Sequence, residues 1–312
     1  MERPPLISTT PARPLSAKDL DIIRAVGAYW YLSPEQVMRL FWAGNSLGRA
    51  KERLLQLLSQ DYLHRIPIPK RRGQLRGRYG FAYRLGPQGL RLLKEEGAAV
   101  PTRLNRTHAP EQQLPHTLAC NDVLIQAALL EKGNDQVSLS HFMHEKTLHN
   151  TPPRVTLPNG KTAGFELDGV LFFDIREGGD LFEQVALLEV DMGNTQAYWL
   201  TKLEKLMAYI QGAYKTDYQT ESFTFLVYTP TSDVHVQNLI AWTESFFTQR
   251  GMAKSHWPPF FYFTDRSARD TDPMSFFLDP HWRQPFTEKQ SSPLEVGNGG
   301  DRCCPDPIPV PP

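Results

Sequence analysis

The stretch that decides the fold reads NSLGRAKERLLQLLSQ (45–60), YLHRIPIP (62–69), KRRGQLRGR (70–78) and YGFAYRL (79–85). Its first run has apolar residues at helical spacing. The second and fourth runs are extended, and the third is a basic loop between them. We interpret the four runs as a recognition helix followed by a two-stranded wing.

The positive charge of this stretch is concentrated on the helix and on the loop. The cations on the helix are Arg49, Lys51 and Arg53, and those on the loop are Lys70, Arg71, Arg72, Arg76 and Arg78. Five cations within nine residues repel one another, and a line of phosphates would relieve that repulsion. An ordinary solvated face would explain the helix charges equally well. The adjoining cationic loop favours double-stranded DNA, with Arg49 and Arg53 near base edges and the loop cations on phosphates.

Helix signals surround this stretch. Ser16, with Asp19 three positions later, predicts a capping box, and the proline after Ser33 suits the first turn of a second helix. The run GPQGLRLLKEEG predicts a further helix closed by Gly97. Three short helices and a hairpin together predict a winged helix-turn-helix domain.

Composition bounds the rest of the chain. The 312 residues are enough for two domains, and the net charge is zero. Residues 1–110 nevertheless hold 19 Lys and Arg against 8 Asp and Glu, whereas the remainder holds 15 against 26. The three cysteines fit neither a disulfide framework nor a zinc ladder, which predicts a reducing, cytoplasmic setting. We expect no signal peptide and no membrane partner, because no apolar run is long enough.

The second half predicts an α/β domain (α+β for the whole chain) with a central mixed sheet. A helical run, LPHTLACNDVLIQAALLEKG, precedes the strands VSLSHFMHEKTL, AGFELDGVLFFDI and LFEQVALLEVD, and strands and helices alternate thereafter. The predicted segments are a flexible N-terminus over 1–14, the winged helix over 15–97, a linker over 98–113, the α/β domain over 114–283 and a disordered Pro-rich tail over 284–312.

Carboxylates at predicted strand ends are the candidate catalytic groups. They are Glu145, Asp168, Glu189 and Asp191, and the helix that follows carries Lys202 and Lys205 on one face. Carboxylates brought together repel one another unless a divalent cation or a lysine compensates them, as in magnesium nuclease sites. Exposed acids bonded to turns are the alternative. A zinc set of His141, His144 and His149 is disfavoured because the surrounding pattern is a strand, so we expect packing or surface histidines.

The order of motifs resembles the replication-relaxation family of plasmid and mobile-element proteins. The resemblance rests on LSAKDLDIIRAVGAYWYLSPEQVMRLFW, FAYRLGPQGLRLL, LPHTLACNDVLI and LLEVDMGNTQAYWLTKLEKLMAYIQ, and it spans about residues 15–265. It implies a winged helix joined to a restriction-endonuclease-like, or PD-(D/E)xK, domain, and a role in replicating or mobilising extrachromosomal DNA.

The resemblance also implies residue roles. Asp168 would match the first acidic residue of the nuclease pattern and Glu189 the second, both as ligands of Mg²⁺. The lysine expected two residues later is Asp191 here, so Lys202 or Lys205 would have to reach in from the helix. Without such a lysine the domain would be a degenerate nuclease kept for binding or assembly.

Three functions therefore remain open. The first is a DNA-binding accessory protein for replication or mobilisation. It would need no cofactor to bind DNA, its partners could include replication or transfer proteins, and a homodimer is possible. The second is a Mg²⁺-dependent endonuclease delivered by its winged helix. The third is a winged-helix transcriptional regulator whose acidic half dimerises or meets a partner protein.

Overall fold

The computed structural model describes residues 14–42, 46–69, 80–98, 113–130, 132–220 and 222–294. The chain divides into two compact units between Leu114 and Pro115. That boundary lies one residue past the end of the predicted linker, most of which, residues 99–112, falls outside the described residues.

Helices and one hairpin make up the N-terminal unit. Its elements are α1 (Ala17–Tyr29), α2 (Pro34–Phe41), α3 (Leu47–Ser59), β1 (Leu63–Pro67), β2 (Phe81–Leu85) and α4 (Pro87–Glu95). Both predicted start signals are confirmed as capping boxes, at Ser16 with Asp19 and at Ser33 with Gln36. β1 and β2 pair antiparallel from Leu63 opposite Leu85 outward.

The core of this unit lies between the helices and the hairpin. Helical spacing predicts a buried stripe of Leu47, Ala50, Leu54 and Leu57 or Leu58 on α3. Ala50, Leu54 and Leu57 are buried, whereas Leu47 is half-buried. Gly89 allows α4 to approach the turn before β1, because a Cβ there would lie 2.4 Å from the carbonyl oxygen of Tyr62. The loop that joins the two strands, residues 70–79, lies outside the described residues.

The C-terminal unit is built on a mixed sheet. Its helices are α5 (Leu114–Leu130), α6 (Glu145–Leu148), α7 (Gln196–Ile210), α8 (Tyr214–Tyr218), α9 (Asp233–Gln249) and α10 (Pro273–Leu278). Its strands are β3 (Val137–His144), β4 (Arg154–Thr156), β5 (Thr162–Gly164), β6 (Gly169–Glu177), β7 (Asp180–Val190), β8 (Thr224–Tyr228), β9 (Phe261–Thr264), β10 (Trp282–Arg283) and β11 (Gln290–Ser291). Seven strands form one sheet in the order β11-β10-β9-β8-β7-β6-β3.

The direction of the strands changes at β7. Its pairings with β6, and of β6 with β3, are antiparallel, whereas β7 with β8 and β8 with β9 are parallel. The predicted α/β class with a mixed sheet is confirmed. Side chains alternate between the two faces of each strand. On one face Val170 and Phe172 join the core with α7 and α9, and on the other Phe173 packs against Phe277 of α10.

Two predictions about this unit differ from the structure. The run AGFELDGVLFFDI is two strands, since β5 pairs with β4 and the buried side chains of Phe165 and Leu167 fill the segment before β6. The predicted disordered tail begins too early, because β11 pairs with β10 and Leu294 is buried. Backbone pairing and burial outweigh the Pro- and Ser-rich composition there. Residues 295–312 lie outside the described residues.

Candidate functional site

Asp168 and Glu189 meet where β6 begins and β7 ends. Gly169 pairs with Leu188, so the residues just beyond this pair, Asp168 and Glu189, are neighbours across the two strands. The backbone N–H of Val190 donates to Asp168 Oδ2 at 2.8 Å, which fixes the carboxylate. Both side chains are buried, at 6% and 2% exposure. The antiparallel ladder thus brings together the two predicted metal ligands.

Lys202 of α7 forms an ion pair with Glu189 inside the protein. Burial alone would lower the pKa of Lys202, but Glu189 and Asp168 raise it above its usual value. Burial, reinforced by the Asp168 charge, raises the pKa of Glu189. Lys205, three residues further on, is half-buried and pairs with neither of these carboxylates. Of the two candidate lysines, the structure brings only Lys202 to the site.

His116, which the sequence arguments do not single out, lies between the carboxylates. Its Nε2 is 3.3 Å from Asp168 Oδ2 and 3.1 Å from the carbonyl oxygen of Val190, and its Nδ1 is 3.2 Å from Glu145 Oε2. Burial alone would lower the pKa of His116, but its anionic neighbours raise it far above its usual value. His116 and Lys202 in turn hold the pKa of Asp168 well below its usual value despite burial.

Glu145 opens α6 directly after β3. Its Oε1 accepts a 2.5 Å hydrogen bond from Thr117 Oγ1 and lies 3.2 Å from Lys146 Nζ. Burial would raise the pKa of this carboxyl, but the hydrogen bond from His116 and the Lys146 charge lower it to about 2. Glu145 is therefore a buried, compensated anion.

Asp191 holds a turn. Its Oδ1 accepts from the backbone N–H of Gly193 at 2.7 Å and of Asn194 at 2.9 Å, and lies 2.7 Å from His235 Nε2. Oδ2 accepts from Asn194 Nδ2 at 3.0 Å. This carboxylate therefore shapes the connection from β7 to α7.

Of the three histidines disfavoured as a zinc set, two have clear packing roles. His141 stacks on Phe172 with ring centroids 3.9 Å apart. His144 is buried, and its Nε2 lies 2.9 Å from Asn121 Oδ1 while its Nδ1 accepts from the Lys146 backbone N–H.

The predicted DNA-contacting residues of α3 differ in position. Arg49 and Lys51 are exposed. Arg53 was predicted to face outward, but its guanidinium makes a two-pronged ion pair with Asp19 and donates to Ser16 Oγ and Gln56 Oε1 at 2.9 and 2.7 Å. Asp19 is buried within the α1 capping box and needs a counter-charge. The side chain of Arg53 therefore stabilises the fold and is not presented on the outer face of α3.

The five cations of the loop, Lys70, Arg71, Arg72, Arg76 and Arg78, lie outside the described residues. Their place in the proposed interface stays a prediction.

The buried cluster offers few free oxygens to a magnesium ion. Mg²⁺ prefers an octahedron of oxygens and keeps several waters. Glu189 is held by Lys202, and Asp168 Oδ2 is held by Val190 and His116. The side chains present do not fit a hydrated Mg²⁺ in this arrangement. A different set offers mixed donors, since donor atoms of His116, Cys120, Glu145 and Asp168 all lie within 4.8 Å of one another.

Among the described residues no helix has the length and apolarity to span a membrane. Searches among curated proteins and among solved structures each gave no match. A family model described as replication-relaxation matches residues 24–224, which is well over half of the chain. The matched region begins within α1 and includes the rest of the N-terminal unit, Asp168 and Glu189. The chain belongs to the replication-relaxation family.

Proposed function

We propose that the protein binds double-stranded DNA as an accessory factor in the replication or mobilisation of a plasmid or other mobile element. The observation that carries the proposal is α3, whose apolar stripe is buried while Arg49 and Lys51 face solvent. A hairpin with a five-cation loop follows it directly in the chain. Family membership supports the replication theme.

The roles of the cations follow from their places in a winged helix. A recognition helix enters the major groove, where side chains reach base edges, and the wing contacts the backbone. Arg49 and Lys51 would therefore read or flank bases, and the loop cations would hold phosphates. Arg53 has no such role in the proposal, because Asp19 holds its guanidinium.

The wing is tested by replacing Lys70, Arg71, Arg72, Arg76 and Arg78 with Ala and measuring duplex affinity by fluorescence anisotropy over a range of salt. Each lost phosphate contact should lower the slope of log K against log salt by about 0.9. The matched control is Lys161→Ala, an exposed cation in the turn between β4 and β5. An unchanged slope in the five-fold variant would contradict the proposal.

The C-terminal unit is, on this proposal, a degenerate nuclease-like domain kept for binding or assembly. The support is chemical. Lys202 and His116 already neutralise Glu189 and Asp168, and Asp191 stands where the nuclease pattern has a lysine. A hydrolytic site needs an open position for metal and water.

An active endonuclease is the competing function, favoured by the pairing of Asp168 with Glu189 at one strand edge. Supercoiled DNA incubated with Mg²⁺ or Mn²⁺ separates the two. We expect equal, background nicking by the native protein and by Asp168→Asn. Metal-dependent nicking that disappears in Asp168→Asn would establish the enzyme.

A transcriptional regulator is the remaining alternative, and footprinting separates it from the proposal. We expect protection at a replication or transfer origin, whereas protection at the protein's own promoter would favour the regulator.

A further inference from the structure

The mixed cluster around His116 contains a sulfur donor as well as nitrogen and oxygen. His116 and Cys120 lie four residues apart on α5, so their side chains share one face of the helix. Glu145 comes from α6 and Asp168 from the start of β6. Cys120 is fully buried, and its Sγ is 3.6 Å from His116 Nδ1. Three separate elements therefore converge on one imidazole.

The hydrogen-bond pattern distinguishes the two nitrogens of that imidazole. Nε2 faces two acceptors, the Val190 carbonyl at 3.1 Å and Asp168 Oδ2 at 3.3 Å, so Nε2 carries a hydrogen. Nδ1 faces Cys120 Sγ at 3.6 Å and Glu145 Oε2 at 3.2 Å, and its hydrogen bond to Glu145 is given up when a metal takes that position. A carboxylate or carbonyl on the far nitrogen is the usual support of a metal-bound histidine.

The two oxygens of Glu145 have different neighbours. Thr117 and Lys146 both contact Oε1, whereas Oε2 faces His116 Nδ1 at 3.2 Å. A ligating carboxylate is commonly held in this way, with one oxygen bonded to the protein and the other facing the metal position.

Two of the ligand separations are close to those of a tetrahedral zinc site. Bonds of about 2.0 Å to nitrogen and oxygen and about 2.3 Å to sulfur give ligand-to-ligand distances of about 3.3 Å between nitrogen and oxygen and about 3.5 Å between nitrogen and sulfur. The observed distances are 3.2 Å between Nδ1 and Glu145 Oε2 and 3.6 Å between Nδ1 and Cys120 Sγ. The donor atoms of Cys120 and Glu145 lie within 4.8 Å of each other.

We propose that His116 Nδ1, Cys120 Sγ and Glu145 Oε2 bind a zinc-class divalent ion, with Asp168 orienting His116 through its Nε2–H. Thiolate and imidazole select Zn²⁺ over Mg²⁺, for which sulfur is a poor ligand. On binding, the metal takes the places of the thiol proton and of any proton on Nδ1, and both protons leave to solvent. The ion would tie α5 to α6 and to the start of β6. This inference does not rest on DNA binding.

The test uses the full chain with Cys303→Ser and Cys304→Ser, so that Cys120 is its one cysteine. Metal-free protein is titrated with Co²⁺, whose thiolate complex gives a near-ultraviolet charge-transfer band, and then with Zn²⁺ against a chromophoric chelator. We expect one ion per chain and a thiolate band. With no other cysteine present, the band can come from Cys120 alone.

Variants assign the remaining ligands. His116→Gln and Cys120→Ser should weaken zinc binding at least about 100-fold, and Asp168→Asn about 10- to 100-fold as a positioning residue. His141→Gln is the matched control, because that ring stacks on Phe172 away from the cluster, and it should leave binding unchanged. Circular dichroism of each variant checks folding.

Two results would overturn the proposal. The first is Co²⁺ binding without a thiolate band, or no stoichiometric binding at all, in the chain whose one cysteine is Cys120. The second is unchanged zinc affinity in both Cys120→Ser and His116→Gln. If either variant fails to fold, the thermal unfolding midpoint of the native protein is measured with Zn²⁺ and with Mg²⁺ at the same concentration. The proposal requires that Zn²⁺ raise the midpoint and that Mg²⁺ leave it unchanged.

Discussion

The charged side chains that we compare have different surroundings in the two units, since those on α3 face solvent and those in the C-terminal unit lie beside buried opposite charges. On α3, Arg49 and Lys51 face solvent, whereas Lys202 and His116 of the C-terminal unit lie within ion-pair distance of buried carboxylates. Exposed charges interact weakly in water and can meet an external polyanion. Buried charges are positioned by their partners and are costly to uncover. The exposed cations of α3 are therefore accessible to an external ligand, whereas the cations beside the buried carboxylates of the C-terminal unit are neutralised internally.

The largest expected effect is on the buried pair. Lys202→Met leaves Glu189 without its cation, and we expect a loss of about 3 kcal/mol in the free energy of unfolding. Urea denaturation followed by circular dichroism measures it. Lys205→Met on the same helix is the control and should change stability by about 0.5 kcal/mol or less. Adding Glu189→Gln to Lys202→Met should restore most of the loss. Equal losses of unfolding free energy in Lys202→Met and Lys205→Met would contradict the distinction between the buried, paired lysine and the half-buried one.

The next effect separates two arginines of α3. Arg53→Ala should cost about 2 kcal/mol of stability, since it strips a buried carboxylate, Asp19, of its partner. Arg49→Ala should cost about 0.5 kcal/mol or less, because its side chain is exposed. DNA affinity should follow the reverse order, because Arg49 faces solvent on the proposed recognition helix whereas Arg53 is held by Asp19. A stable Arg53→Ala with the greater loss of DNA affinity would contradict this assignment.

The effect that is smallest near neutral pH concerns the protonation of a histidine. Burial lowers the pKa of His144 to about 4, so the folded protein keeps the ring neutral. The unfolded chain takes up a proton below about pH 6.5, and stability is therefore complete above that pH and falls as the pH drops from 6.5 toward 4. The contribution is up to about 1.4 kcal/mol per pH unit. Urea midpoints at several pH values, in metal-free buffer, should show a shallower slope for His144→Gln. Identical slopes would show that this ring does not titrate on unfolding.

Local chemistry explains which features the sequence could predict. The capping boxes at Ser16 and Ser33 depend on residues three positions apart, and the stripe of α3 depends on helical spacing, so both are visible in the chain. Asp168 and Glu189 were found because strand ends concentrate such groups. Long-range partners leave no comparable trace. No local pattern around Arg53 predicts its ion pair with Asp19, which lies 34 residues earlier in the chain.

His116 was missed for the same reason. The one local signal was the spacing of His116 and Cys120, four residues apart on a predicted helix, which places both on one face. Glu145 and Asp168 complete the cluster from other elements, and only the fold brings them there. Lys202 was separable from Lys205 only once α7 was seen to turn the former toward the sheet.

The turn after β7 constrains which residue can occupy position 191. Asp191 receives two backbone N–H groups, one from Gly193 at φ +106°, and also contacts His235. A lysine at position 191 has no acceptor for these donors. Asp191→Lys would therefore disturb both the connection to α7 and the contact with α9, so this position is committed to shaping the backbone.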